Sequence, residues 1–216
     1  MTAKIQAILP MRSGSRRIRN KNTRFIKGRP LYEYIVNALV GVKLIDRIII
    51  NTDIASVLKR YKDKKRFIAL KRESHLQGNC NMNLVIEDTL NKVKGEHFLQ
   101  VHATNPLISV KTINTAIKTY FKHLKKHDSL FSVTKLQKRL WNKDGMALNH
   151  NPVASPTTQD LEPYFEENSG LYIFSRSSFM KNKNRIGLKP YLFKTGFIES
   201  IDVDTKEELN LVKRLL

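Results

Sequence analysis

The sequence predicts an α/β fold in three layers, with helices on both faces of a mostly parallel sheet. Three observations predict it. Short apolar runs of strand length recur along the first 135 residues, stretches with helical periodicity separate them, and a polar or Pro/Gly-containing turn closes each run. Strands short enough to be buried on both faces, joined by helices, belong to a parallel sheet.

Lys4–Leu9 is the first strand, and the helix Leu31–Val40 follows it after a long loop. Arg47–Asn51 and Phe67–Leu70 are the next strands, with the helix Ile54–Lys62 between them. The helices Asn83–Lys94 and Ser109–Lys126 bracket the strand His97–His102. In the second of these helices Ile113, Ala116, Ile117, Tyr120, Phe121 and Leu124 form one apolar face. Leu130–Val133 is the fifth strand. From Lys135 to Glu167 the alternation stops. Trp141, Gly145, Pro152, Pro156 and Pro163 mark this stretch as an excursion from the core, so residues 1–216 read as a single domain. The chain returns through Leu171–Phe174 and Gly196–Asp204.

The loop after the first strand carries the strongest chemistry. Between Arg12 and Arg29 stand eight basic side chains and no acidic one: seven in Arg12-Ser13-Gly14-Ser15-Arg16-Arg17-Ile18-Arg19-Asn20-Lys21-Asn22 and Lys27-Gly28-Arg29-Pro30-Leu31, and Arg24 between the two. Gly14 is expected to permit a turn that a side chain would obstruct, so that backbone N–H groups and the flanking serines face an anion. Arg12, Arg16 and Lys21 add charge-assisted hydrogen bonds. The loop is neither a G-x-x-x-x-G-K-[ST] nor a G-x-G-x-x-G sequence. A solvated basic loop is the plain alternative. Ligands of parallel sheets sit beyond the carboxyl ends of strands, which is where this loop lies.

The chain has 39 Lys and Arg against 19 Asp and Glu, a net charge of +20, which also suits a polyanion such as nucleic acid. The basic residues are spread along the whole length, which favours a compositional bias plus one phosphate loop over a nucleic-acid surface. The single cysteine, Cys80, excludes an internal disulfide and a cysteine-rich zinc site. No signal-peptide apolar region follows Met1, and no run approaches the ~20 apolar residues that span a bilayer. A cytoplasmic setting without membrane contact is expected.

Ser200-Ile201-Asp202-Val203-Asp204-Thr205 is the second signal. On a strand, Asp202 and Asp204 would lie side by side on one face with Ile201 and Val203 packed behind. Two such carboxylates suit Mg²⁺ or Mn²⁺ shared with substrate phosphates. Alternatively Asp204 or Thr205 caps the last helix, since Thr205-Lys206-Glu207-Glu208 fits a capping box and Leu209, Val212 and Leu216 give an apolar stripe. The two roles are compatible.

The N-terminal block, Arg12 to Ile18 with Lys21-Asn22 and Gly28-Arg29-Pro30-Leu31, resembles the signature of the cytidylyltransferases that activate acylneuraminates and related sugar acids. Further matches run in register over nearly the whole chain: Asp46–Asp53, Arg72–Leu76, Thr104–Leu107, Asn168–Ile173 and Ser200–Thr205. The resemblance implies a Rossmann-like nucleotidyltransferase fold, CTP as donor, a divalent metal and a homodimer in which residues 135–167 reach over the partner. It assigns nucleotide binding to Arg12, Ser13, Gly14, Ser15, Arg16, Lys21, Asn22, Arg72 and His102. Acceptor binding falls to His102, Gln159, Asn168 and Tyr172, and metal binding to Asp202 and Asp204. Arg12, Lys21 and Asp204 are the catalytic set, for attack of an acceptor oxygen on the α-phosphorus of CTP with release of pyrophosphate.

Departures from the acylneuraminate pattern concern the acceptor. His102-Ala103-Thr104-Asn105-Pro106-Leu107-Ile108 replaces a substrate-facing Gln by His and lacks an Arg, and Thr157 stands where relatives carry Arg before Thr-Gln. His102 is either a contact at the strand end or a polar strand residue bonded into the sheet. His123 and His127 lack a third ligand nearby and read as a solvated face. Trp141 reads as an apolar anchor for the excursion. Three functions fit: cytidylyl transfer to a sugar acid, the same transfer to another acceptor such as a Kdo-like acid or a phosphonate, and polyanion binding on a non-catalytic scaffold. Lys21 with the Asp202/Asp204 pair argues against the last.

Overall fold

A computed structural model describes residues 4–15 and 17–216. β1 (Ile5–Met11) is buried over nearly its whole length. The basic loop follows, then a hairpin of β2 (Phe25–Ile26) and β3 (Arg29–Pro30), and then α1 (Leu31–Gly41). Lys27 and Gly28 turn the hairpin with φ of 43° and 82°, a left-handed pair that glycine adopts without strain. The alternation continues through β4 (Ile45–Thr52), α2 (Ala55–Tyr61), β5 (Phe67–Lys71), α3 (Met82–Lys92), β6 (His97–Val101), α4 (Val110–His123) and β7 (Ser129–Leu136). β8 (Tyr164–Ser175), α5 (Arg176–Asn182), β9 (Pro190–Lys194) and α6 (Lys206–Leu215) complete it.

The main sheet has the order β5-β4-β1-β6-β8-β7-β9. Among its described strands only β8 runs against the rest; β1 pairs in parallel with both β4 and β6. Successive strand residues serve opposite layers. Leu9, Ile48 and Ile50 pack with Ile35 of α1 and Ile117 of α4, whereas Ile8, Ile49 and Phe98 pack with Leu90 of α3 and Phe179 of α5. A third cluster joins Ile18, Ile26 and Leu31 to Val203, Leu209 and Val212, so α6 holds the N-terminal loop against the segment before it.

Four expectations need correction. Ser200–Thr205 is not a strand: Ile198–Ser200 is a 3₁₀ turn, and residues 201–204 are extended without a ladder, tied by Val203 N to Thr104 O at 2.8 Å. The cause is Thr205, which starts α6 through a complete capping box with Glu208. The excursion is shorter than 135–167, because Leu136↔Tyr164 through Val133↔Glu167 pair as an antiparallel ribbon and leave 137–163 irregular. Trp141 is 52% exposed and packs edge-on against His150 at 5.0 Å, so it does not anchor that segment to the core. His123 and His127, expected on a solvated face, are half-buried around the Tyr191 ring, at 4.7 and 5.3 Å. α5 and β9 escape a periodicity reading because α5 is only seven residues long and β9 opens on a proline at an edge of the sheet.

Candidate active site

Parallel pairing brings the ends of β1, β4, β5 and β6 to one rim, and with them Arg12, Asp53, Arg72 and His102. The chain leaves β1 toward β4 on one side and has β6 on the other, so a crevice opens at this switch point. The crevice has two adjoining lobes that share Arg12, Arg72 and Met82: one of about 140 Å³ reaches Ser15, Lys21, Asn22 and His102, and one of about 450 Å³ reaches the Gly78–Asn81 loop.

Each loop residue has a defined place. Arg12 donates through Nη1 to Gly78 O and, at 2.9 Å, to Asn79 Oδ1. Buried Asn22 donates to Arg12 O at 2.9 Å and so fixes the turn out of β1. Arg72 is buried and donates to Asn51 Oδ1 at 3.0 Å and Asn51 O at 3.1 Å; burial pulls its guanidinium below its usual value. Ser13 is turned away from the two cavities, its amide and hydroxyl both given to the Asp53 carboxylate at 2.7 Å. Asp53 thereby orders the loop, a role that the Asp46–Asp53 block did not signal. Gly14 does not do what was expected of it: its φ lies outside the left-handed region and a Cβ there would meet nothing within 4 Å. Arg16 lies outside the described residues.

His102 faces the smaller cavity with Nε2 buried and, among the described residues, without a hydrogen-bond partner. Burial, then the charges of Arg185 and Lys21, push its pKa down to about 3, so the imidazole is neutral. The alternative of a histidine bonded into the sheet is not what the structure has.

Asp202 and Asp204 line a second cavity of about 400 Å³, together with Glu166, Glu167, Asn168 and Ser169. Of the two residues expected behind them, Val203 is fully buried, whereas Ile201 is half-buried and lines the same cavity. Lys21 Nζ donates to Asp204 Oδ1 at 2.7 Å and Arg17 Nη1 to Oδ2 at 2.9 Å. Burial opposes ionisation of Asp204, yet Lys21 and then Arg17 hold its carboxyl below the usual value. Burial raises that of Asp202, whose Oδ1 is buried without a partner among the described residues. Two hard carboxylate oxygens, one of them unsatisfied, fit a divalent cation that takes its other ligands from phosphate and water. No group of three or more His, Cys, Asp or Glu is arranged for a metal among the described residues.

The acceptor set divides. Asn168 borders the second cavity, but its amide is spent inside the fold: Nδ2 donates to Thr134 Oγ1 at 3.0 Å and Thr195 Oγ1 at 2.7 Å, and Oδ1 accepts from Ser132 Oγ at 2.6 Å. It fills a bulge in β8 where the pairing jumps from Phe131↔Tyr172 to Val133↔Glu167 and Ser169 turns with φ of 57°. Tyr172 is fully buried; its hydroxyl donates to Glu167 Oε1 and its ring lies 6.2 Å from that of His102. Burial pushes its phenol up to about 12. Gln159 is not brought to either cavity. It sits in the 3₁₀ turn Thr158–Asp160, where its carbonyl accepts from Gln137. Arg185, which no motif pointed to, stacks over Tyr172 at 3.7 Å.

The Cytidylyltransferase family profile matches residues 6–216. The CMP-N,N'-diacetyllegionaminic acid synthase of Legionella pneumophila is 27% identical over 230 residues, covering 99% of this chain and 96% of that protein. The N-acylneuraminate cytidylyltransferase of Streptococcus agalactiae is 21% identical over 215 residues, covering 93% of this chain; the chain spans only 50% of that protein's length. Among solved structures, CMP:2-keto-3-deoxy-manno-octonic acid synthetase complexed with CTP superposes with a TM-score of 0.71 at 16% identity, over 98% of each chain, and has the same Rossmann-like nucleotidyltransferase fold. With its match across almost the entire length and its crevice at the β1–β6 switch point, this chain belongs to the cytidylyltransferase family.

Proposed function

We propose that this chain transfers the cytidylyl group of CTP to a sugar acid of the acylneuraminate type and releases pyrophosphate. The observation that carries the reading is the contact of Lys21 with Asp204 across 183 positions of sequence, which joins the crevice beside the basic loop to the carboxylate-lined cavity. CTP occupies the cavities around Arg12, Arg72 and Ser15, and the acceptor occupies the second cavity. The acceptor oxygen attacks the α-phosphorus in line while the bond to the β-phosphate oxygen breaks.

Lys21 has three donors and gives one to Asp204, so its remaining N–H groups can neutralise phosphate charge. Arg12 is oriented by the Gly78–Asn79 loop and closes the nucleotide side. Neutral His102 offers a hydrogen bond rather than a charge. Asp202 and Asp204 would hold Mg²⁺ or Mn²⁺, which when bound neutralises the α-phosphate and favours ionisation of the attacking oxygen. Positioning and electrostatics supply most of the rate in such transfers, so a nucleophilic side chain is not needed.

The reading includes a homodimer. Residues 137–163 leave the β7–β8 ribbon with Met146, Leu148 and Val153 at 60, 55 and 94% exposure, and Gln159, remote from its own cavities, would serve the partner's.

Titration calorimetry with CTP, UTP, ATP and GTP, with and without Mg²⁺, is the test of the donor site. Selective CTP binding is expected, followed by pyrophosphate release with N-acetylneuraminate, N,N'-diacetyllegionaminate or 3-deoxy-manno-octulosonate. Binding to none of the four nucleotides would overturn the reading.

A further inference from the structure

The wall of the second cavity poses an electrostatic problem. Glu166, Glu167, Asp202, Asp204 and Glu208 line it, and no lysine or arginine is among its described lining residues. A sugar acid brings one more negative charge, and like charges at such distances repel. Arg17 and Lys21 lie close by, but Asp204 already binds both, at 2.9 and 2.7 Å.

Arg185 is not itself a lining residue of this cavity but stands directly beside Glu167, which is. Its side chain is 15% exposed, and its guanidinium is 3.7 Å from the centre of the Tyr172 ring. Nη1 donates to Gln100 Oε1 at 2.7 Å. Nη2 lies 3.9 Å from Glu167 Oε1, too far for a hydrogen bond. Of five guanidinium donors, one is hydrogen-bonded among the described residues. The stack fixes the plane of the group, and the main chain is pinned where Arg185 N donates to Asn83 Oδ1 at 3.3 Å. A largely desolvated, pre-oriented guanidinium with unused donors is a receptor for a planar two-oxygen anion.

Resting on the function proposed above, we infer that Arg185, held against Tyr172 and beside Glu167, binds the carboxylate of the acceptor and selects sugar acids over neutral sugars. Arg185 touches the substrate but not the reacting atoms, so it is a specificity residue for the acceptor alone. The Arg185–Tyr172 stack takes over the charge that the Ile108 and Thr157 positions lack.

The test compares wild type with Arg185→Gln and Arg185→Lys on N-acetylneuraminate, N,N'-diacetyllegionaminate and 3-deoxy-manno-octulosonate, each as the acid and as its primary amide. In Arg185→Gln the KM for the acid should rise about 30-fold, the size of a lost charge-assisted pair, with the KM for CTP unchanged within about twofold. The preference of wild type for acid over amide should disappear. Arg185→Lys keeps the charge without the fork and should fall between the two; it also serves if the Gln variant has no melting transition. An unchanged acid-to-amide preference, or equal losses toward CTP and acceptor, would overturn the assignment of Arg185 while leaving cytidylyl transfer intact. Absence of wild-type turnover on all three acids, with CTP still bound, would overturn the acceptor class and Arg185 together.

Discussion

Lys21 lines the nucleotide-side crevice and Asp204 the carboxylate-lined cavity, and their contact joins the two. The Asp204 side chain is 42% exposed and that of Lys21 14%, so their ion pair works partly against solvent, where such pairs contribute about 0–1 kcal/mol. Asp204→Asn should therefore shift the urea midpoint little and lower metal-dependent turnover at least about 100-fold, the scale of one electrostatic catalytic group. CTP binding measured without metal should persist. Retained metal-dependent turnover in this variant would remove Asp204 from the catalytic set. Asn168 is the contrasting case: with its amide donating to two threonines and accepting from Ser132, it shapes the β8 bulge beside the cavity and has little left to offer a ligand.

At the scale of elements, two helices end in a way their own sequence does not announce. α1 and α3 pass into extended Val42 and Val93, without the left-handed glycine that usually satisfies the last carbonyls. Arginines from elsewhere do it instead. Arg66 donates to the carbonyls of Val40, Val42 and Ile45 at 2.6 to 2.8 Å, and Arg176 to those of Leu90, Val93 and Gly95 at 2.7 Å. Each also sets a cation at a helix C-terminus, where it is favourable. Arg176→Ala should cost about 2 kcal/mol or more in urea unfolding, since it strands carbonyls that had charged donors, while CTP affinity stays the same. An arginine with no role inside the fold would show no such loss.

For the whole molecule, the net charge of +20 is partly accounted for by this internal use: Arg66, Arg72, Arg176 and Arg185 all spend guanidinium groups on the fold or the site. No helix among the described residues is long and apolar enough to cross a membrane. The association proposed for residues 137–163 predicts a sedimenting species of twice 25.0 kDa. Replacing exposed Leu148 and Val153 by Asp should dissociate it and leave CTP binding intact, because both lie outside the nucleotide cavities. A monomer in wild type would refute the dimer without touching the fold.

What the sequence determined by itself is what neighbouring residues decide. Apolar periodicity placed five strands and four helices to within a few residues, the Thr205/Glu208 box started α6, and the small basic loop after an apolar strand marked the crevice at the strand ends. The alternation of Ile201, Asp202, Val203 and Asp204 held only in part: Asp202 and Asp204 line one cavity and Val203 is buried behind them, but half-buried Ile201 lines that cavity too. The partner of each charged or polar side chain was set instead by contacts made on folding. That Ser13 serves Asp53, that Asn168 fills a bulge, that Gln159 is remote and that Arg185 lies on Tyr172 depend on contacts between elements far apart in sequence. Periodicity and capping are local energies repeated along the chain. A hydrogen-bond partner is chosen by which strands become neighbours, and β8 lies between β6 and β7 only because the sheet closes that way.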